Sequence, residues 1–117
     1  MTKQVYKIAT VAEWERALAH GWYTGSDGDI RDGFIHLSTA EQLRGTFERY
    51  FSGQSGLVLI AFEAEKLAPG LRWEPARGGD LFPHHYGDLA ISLALWQRTL
   101  ALDQDGTARL DEDWLKC

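Results

Sequence analysis

The chain has 117 residues, 44% of them hydrophobic, and this size and apolar content predict a single domain spanning residues 1–117. Its net charge is −5 and its lysines and arginines are scattered, which argues against nucleic acid as a partner because phosphate binding needs a basic face. No apolar run approaches the ~20 residues that cross a bilayer, so we expect no membrane association.

The beginning of the chain predicts a strand followed by a helix. Residues 4–9 favour a strand, and Val11, Trp14 and Leu18 then recur at the spacing of one helix face. Gly21 is placed to end this helix.

Residues 23–33 contain three glycines and three aspartates, which predicts a long solvated loop of the kind that borders functional sites. A short strand over residues 33–39 and a helix over residues 39–51 follow. The start of that helix carries two overlapping capping-box patterns, Ser38 with Glu41 and Thr39 with Gln42. Its apolar face is predicted to contain Leu43, Phe47, Tyr50 and Phe51.

The second half of the chain begins with its strongest strand, residues 57–65, a continuous apolar run typical of the middle of a sheet. Residues 71–87 predict short extended pieces and a loop, and residues 88–102 predict a helical turn and then a strand. A turn at residues 103–106 leads to a final short strand at 107–110. Because strands and helices do not alternate regularly, the predicted class is α+β.

The segment GFIHLS, residues 33–38, contains the first candidate site residues. Side chains alternate along a strand, so Ile35 and Leu37 face one side, where they can build the core. The opposite side presents Phe34, His36 and Ser38. Alternatively, Ser38 only caps the following helix and His36 bonds a backbone carbonyl, which is the commoner role for such residues.

The predicted helix start, Thr39 to Gln42, adds a candidate anion site. The first N–H groups of a helix have no partner within the helix, and the helix dipole is positive at that end. A histidine and a hydroxyl beside such a helix start suit a phosphate-bearing ligand.

The segment FPHHYG, residues 82–87, is the second candidate. Pro83 favours an extended path, on which His84 and Tyr86 share one side and His85 lies on the other. His84 then offers an acid or base near neutral pH, and Tyr86 offers a surface on which a planar ring can stack. Alternatively, these residues only close the core beneath a turn.

The segment RWEP is the third candidate, with Glu74 between Trp73 and Pro75. Partial desolvation beside a large apolar group would raise the pKa of Glu74 and suit it to acid–base work or to a ribose hydroxyl. Alternatively, Glu74 is an exposed glutamate with no such role. No compact pair of ligands marks a metal site, so a metal held by His36, His84 and a carboxylate is a minor alternative.

Two further features bear on the compartment. Residues 1–14 lack the basic-then-apolar order of a signal peptide. The single cysteine, Cys117, has no partner for an internal disulfide. We therefore expect a cytoplasmic protein.

Three motifs in fixed order, GFIHLSTAEQ, RWE and FPHHYG, resemble the bacterial domain-of-unknown-function family 952. The resemblance covers essentially the whole chain. That family is grouped with the ADP-ribosyltransferase-like fold, which implies a split β-sheet with two or three helices. The resemblance also implies NAD or a related ADP-ribose nucleotide as the substrate, with transfer or hydrolysis at its nicotinamide ribose and no certain cofactor.

The resemblance implies roles for the residues of GFIHLSTAEQ. His36 and Ser38 match the His-x-Ser/Thr motif, in which the histidine holds the adenosine-side ribose and the hydroxyl lies near the nicotinamide half. Leu37 stands where that motif usually has glycine. The helix start at Thr39 and Gln42 completes one wall of the implied nucleotide cleft.

The other two motifs supply the remaining candidates that the resemblance implies. Trp73 and Tyr86 are candidates for stacking on nicotinamide. Glu74 is the candidate for the glutamate that bonds the ribose 2′-hydroxyl, and His84 for the second histidine of the phosphotransferase branch. Two alternative functions stay open, a binding module without catalysis and a structural or interaction domain. The sequence also leaves the oligomeric state open.

Overall fold

The computed structural model describes residues 3–106, 108–110 and 112–115. Cys117, on which part of the compartment prediction depends, lies outside the described residues, and so does Thr107, the first residue of the last predicted strand. No helix in the described part of the chain is long and apolar enough to span a membrane.

The strands and α-helices follow in chain order as β1 Gln4–Thr10, α1 Val11–His20, β2 Trp22–Tyr23, α2 Asp27–Asp32, β3 Ile35–His36, α3 Leu43–Tyr50, β4 Leu57–Glu63, β5 Leu71–Pro75, β6 Leu81–His85, β7 Leu89–Ala90 and β8 Ala94–Leu100. Short 3-10 turns occupy Ala64–Leu67, Arg77–Gly79, Ile91–Leu93 and Glu112–Leu115. Within the described residues the strands form antiparallel sheets beside three α-helices, which confirms the α+β class.

The strand β4 is the middle of a sheet with the order β1–β4–β8. Its residues are buried except at the last position, Glu63, because helices cover both faces of the sheet. The face under α1 contains Val58, Ile60 and Phe62, and the face under α3 contains Leu57, Leu59 and Ala61. This arrangement confirms the prediction that residues 57–65 form a central strand.

The start of the chain also follows its prediction, with β1 leading directly into α1. Thr10 and Glu13 cap this helix reciprocally, because the Glu13 N–H donates to Thr10 Oγ1 at 3.1 Å and the Thr10 N–H donates to Glu13 Oε1 at 3.0 Å. Gly21 ends the helix in the left-handed conformation, with φ 86°.

The second three-stranded sheet has the order β3–β6–β5 and joins the first through one short segment. The Leu37 N–H donates to the Pro83 carbonyl of β6 at 3.0 Å, whereas Ser38 pairs with Tyr6 of β1 through bonds of 2.8 and 2.9 Å. The chain therefore changes partner strand between Leu37 and Ser38. The two sheets diverge from this point.

The loop predicted for residues 23–33 is wrong, because Asp27–Asp32 forms the helix α2. Ser26 and Asp29 make a reciprocal capping box, in which the Asp29 N–H donates to Ser26 Oγ and the Ser26 N–H donates to Asp29 Oδ2. Gly33 ends the helix at φ 88°. Local capping at both ends therefore outweighs the glycines and aspartates that suggested a loop.

The helix predicted for residues 39–51 is shorter than expected and begins at Leu43. Thr39 and Gln42 pair with each other in the preceding turn, where the Gln42 N–H donates to Thr39 Oγ1 and the Thr39 N–H donates to Gln42 Oε1. Ser38 does not cap the helix, since its hydroxyl bonds the Thr46 hydroxyl at 2.9 Å. Tyr50 is 64% exposed rather than packed with Leu43 and Phe47.

The last third of the chain fits its predictions in part. Residues 88–102 form the expected helical turn, Ile91–Leu93, and then β8, although the short strand β7 was not predicted. The final strand predicted at residues 107–110 is wrong for the described residues, which form only an isolated bridge between Leu102 and Ala108.

The substitution Ser26→Ala tests whether capping holds α2 in place. We expect it to lower the free energy of unfolding by about 1 kcal/mol, because one N–H of the helix loses its acceptor. Urea unfolding measures the effect, and Ser52→Ala, at an exposed serine of a turn, is the matched control. Equal stability of the two variants would contradict a capping role for Ser26.

Candidate functional site

A cavity of about 250 Å³ opens where the two three-stranded sheets diverge. Its walls come from β1, α2, the segment 36–38, α3 and the β5–β6 hairpin. The polar and aromatic residues that line it are Tyr6, Lys7, Ser26, Asp29, Arg31, Asp32, His36, Ser38, Thr46, Tyr50, Phe51, Arg77, Phe82 and His84.

A buried ion pair forms one wall of this cavity. Lys7 Nζ lies 2.7 Å from Asp29 Oδ2, and the two side chains are only 7% and 2% exposed. Lys7 also donates to the His36 carbonyl at 3.1 Å. The pair therefore joins β1, α2 and β3.

The Asp29 carboxylate accepts hydrogen bonds from several directions. The Ser26 N–H donates to Oδ2 at 3.0 Å, and the His36 N–H donates to Oδ1 at 3.1 Å. Burial alone would raise the pKa of Asp29, but the hydrogen bond from His36 and the charge of Lys7 outweigh it and hold that pKa well below its usual range. Asp29 is thus a buried, ionised carboxylate.

This carboxylate orients the imidazole of His36. His36 Nδ1 lies 2.6 Å from Asp29 Oδ1, and it must carry the proton because an ionised carboxylate only accepts. His36 Nε2 lies 3.0 Å from Oδ2 of Asp32, an exposed residue of α2. The ring is 41% exposed and faces the cavity.

A second histidine is held in the same manner. His84 Nδ1 lies 2.9 Å from Glu74 Oε1, and the Tyr86 hydroxyl donates to the same oxygen at 2.7 Å. The Phe34 ring stacks on His84 with 4.1 Å between centroids. The His36 and His84 rings lie 5.6 Å apart, so two carboxylate-bound imidazoles meet at one cavity.

The role predicted for Glu74 changes in one respect. Its pKa is lowered rather than raised, because Tyr86 and then His84 donate hydrogen bonds to its carboxylate. The same contact raises the pKa of the Tyr86 phenol. Glu74 therefore orients His84 and Tyr86, and it does not line the cavity.

The structure brings together only some of the residues that the sequence singled out. His36, Ser38 and His84 line the cavity. The others do not line it, and they are Thr39, Gln42, Trp73, Glu74 and Tyr86. Thr39 and Gln42 already bond each other, and the helix start predicted at Thr39 is wrong because α3 begins at Leu43. Trp73 contacts Lys3 instead, with Nζ 4.6 Å from its ring.

Several cavity residues were not singled out from the sequence, among them Lys7, Asp29, Asp32 and Arg77. A lysine within the apolar strand β1 indicates a buried charge that needs a partner, and the pattern Ser26-x-x-Asp29 followed by Gly33 indicates a short capped helix. Among the residues that the structure describes, no three histidine, cysteine or carboxylate side chains are grouped to hold a metal ion.

Residues 8–97, which include the three motifs, match the family described as protein of unknown function (DUF952). The chain belongs to this family. The predicted family membership is therefore confirmed. No curated protein matches the chain.

The chain is also similar to a solved structure from Caulobacter crescentus. It is 47% identical to protein CC0527, whose crystal structure gives a TM-score of 0.91 over 96% of this chain and 97% of that chain. The solution NMR structure of CC0527 gives 46% identity and a TM-score of 0.84, over 94% and 95% of the two chains. The two proteins therefore share this fold over nearly their full lengths.

The lowered pKa of Asp29 predicts how the free energy of unfolding depends on pH in acid. Because its pKa is lowered in the folded protein, its contribution to stability is complete above the ordinary value of 3.8 and is lost as the pH falls below that value. Urea unfolding between pH 7 and pH 3 should therefore show a steep loss of stability at the acid end.

The substitution Asp29→Asn should weaken this acid dependence and should itself cost about 3–5 kcal/mol at pH 7, because it leaves Lys7 buried without its carboxylate. Asp32→Asn, at an exposed aspartate, is the control and should cost less than about 1 kcal/mol. An unchanged acid dependence in Asp29→Asn would contradict the buried ion pair.

Proposed function

We propose that the cavity binds a nucleotide of the ADP-ribose class, NAD included, and that His36 and His84 act as acid and base at its ribose. The observation that carries this proposal is the meeting of two carboxylate-bound imidazoles at one cavity, with 5.6 Å between their rings. Transfer or hydrolysis at the nicotinamide ribose is the reaction that this pair would serve.

The orientation of both rings supports acid–base chemistry. Each imidazole is held through Nδ1, by Asp29 in one case and Glu74 in the other, so Nε2 is the atom that would meet a ligand. For His36 this requires that Asp32 leaves Nε2. A histidine whose ring is oriented by a carboxylate transfers protons at a defined position. Glu74 then acts through His84 and does not itself contact the ribose, which favours the two-histidine phosphotransferase branch as the comparison.

The rest of the cavity supports a ligand with a ribose and a phosphate. The Ser38 and Thr46 hydroxyls offer hydrogen bonds, and Arg31 and Arg77 offer positive charge. A volume of about 250 Å³ lies below the ~300–1,000 Å³ typical of ligand pockets. The cavity would therefore enclose the ribose and one phosphate while the remainder of the nucleotide extends over the rim, where Tyr50 is exposed.

The divergence of the sheets supports the comparison with the ADP-ribosyltransferase-like fold. In that fold the nucleotide cleft lies in a split β-sheet, and in this chain the split occurs between Leu37 and Ser38, within the His-x-Ser motif. In the proposal, the His-x-Ser motif therefore lies at the junction of the two sheets and also contacts the ligand.

One contact favours a binding module without catalysis as the second candidate. His36 Nε2 is already 3.0 Å from Asp32, so the ring meets a carboxylate at both nitrogens. In the catalytic proposal a ligand displaces the exposed Asp32 side chain from Nε2. In the binding module Asp32 stays in place and His36 only shapes the cavity.

Thermal unfolding with ADP-ribose or NAD tests whether the cavity binds a nucleotide. A ligand at a hundred times its dissociation constant should add ~2.7 kcal/mol to the stability of the protein. His36→Ala should reduce this gain, whereas the control His20→Ala, at an exposed histidine at the end of α1, should keep it. Equal unfolding temperatures with and without millimolar ligand would rule out the nucleotide.

Nicotinamide release from NAD separates catalysis from binding. The wild-type chain should release nicotinamide, and His36→Ala or His84→Ala should each slow the release by about 100-fold or more, as expected for loss of a general acid or base. His20→Ala should keep the wild-type rate. Release at the same rate in all variants would overturn the assignments, and binding without release would establish the binding module.

A further inference from the structure

One arginine that lines the cavity, Arg77, forms no ion pair with any residue in the described part of the chain. Of the lysine and arginine side chains that line it, Lys7 pairs with Asp29 at 2.7 Å and Arg31 Nε pairs with Asp32 Oδ1 at 3.2 Å. Arg77 has no carboxylate partner among the residues that the structure describes. In a protein with a net charge of −5, a guanidinium without a carboxylate partner is a favourable binding position for an anion.

Arg77 is also held in place by its neighbours. It lies in the turn Arg77–Gly79 between β5 and β6, and its guanidinium carbon is 5.0 Å from the Phe82 ring centroid. Phe82 itself lines the cavity and is buried. The contact with Phe82 restricts the conformations of the Arg77 side chain in the free protein. The side chain therefore loses less conformational entropy when it binds a ligand.

The helix α3 makes room for this guanidinium at Gly45. A Cβ atom at Gly45 would lie only 3.0 Å from Arg77 Nη2. Glycine within a helix is unfavourable compared with alanine. Glycine at position 45 therefore allows the Arg77 guanidinium to pack closely against α3.

We infer that Arg77 binds the phosphate group of the ligand, in a subsite made by Arg77 and Phe82, with Gly45 of α3 behind the guanidinium. Guanidinium groups bind phosphate through two parallel N–H donors, and these charge-assisted bonds are stronger than neutral ones. The inference deepens the proposed function and rests on it for the location of the ligand. The subsite takes a phosphate that is attached to a ribose.

Titration calorimetry with ribose 5-phosphate, ribose and ADP-ribose tests this subsite. The wild-type chain should bind ribose 5-phosphate more tightly than ribose, and Arg77→Gln should weaken the binding of ribose 5-phosphate by about 10- to 100-fold. Arg16→Gln removes the same charge from an exposed site on α1, on the other face of the central sheet, and should leave the affinity unchanged.

The variant Gly45→Ala guards against a trivial loss of folding. It should unfold at a temperature equal to or above that of the wild type because alanine favours the helix. It should bind ribose 5-phosphate modestly more weakly, because the added Cβ, 3.0 Å from Arg77 Nη2, shifts the tip of this side chain. A protein that is at least as stable but binds ribose 5-phosphate more weakly supports the subsite directly.

The outcomes separate this inference from the proposed function. If Arg77→Gln binds ribose 5-phosphate as the wild type does, or if the wild type prefers ribose, the subsite is overturned even where ADP-ribose binding persists. If ribose 5-phosphate binding depends on Arg77 but ADP-ribose does not bind, the subsite stands and the nucleotide proposal fails.

Discussion

The buried ion pair between Lys7 and Asp29 is the contact on which the rest of the site depends. Removing two charges from water costs several kcal/mol for each ion, and only good geometry and further hydrogen bonds offset that cost. Asp29 meets this requirement by accepting from the Lys7 ammonium, from the backbone of Ser26 and from both the backbone and the ring of His36. These contacts of Asp29 therefore fix the position of residues 26–36 against β1.

The position of the cavity follows from this constraint. Because Asp29 must reach Lys7, α2 covers one side of the opening between the sheets, and His36 is oriented by the same carboxylate that satisfies the lysine. The change of partner strand between Leu37 and Ser38 forms the opening itself. On the opposite side, Glu74 holds His84. The buried ion pair and the orientation of His36 thus depend on one carboxylate.

The sequence predicts those parts of this arrangement that depend on local patterns. The apolar run of β4 and the alternation of Ile35 and His36 follow from strand geometry, and both are confirmed. The helix α2 was missed because glycine and aspartate suggest a loop, although the Ser26 capping box was present. The capping pattern marks Asp29 only as a helix residue, and its pairing with Lys7, which lies 22 residues earlier, could not be identified from the sequence. Contacts of this kind are set by the tertiary fold rather than by local pattern.

The ring protonation of His36 tests the central role of Asp29 most directly. Nitrogen-15 NMR of the histidine side chains reports which ring nitrogen carries a proton. An ionised Asp29 predicts that Nδ1 of His36 is protonated at neutral pH and that this preference is lost in Asp29→Asn. A His36 ring with its only proton on Nε2 in the wild-type protein would show that Asp29 does not orient the imidazole, and the proposed site would lose its organising contact.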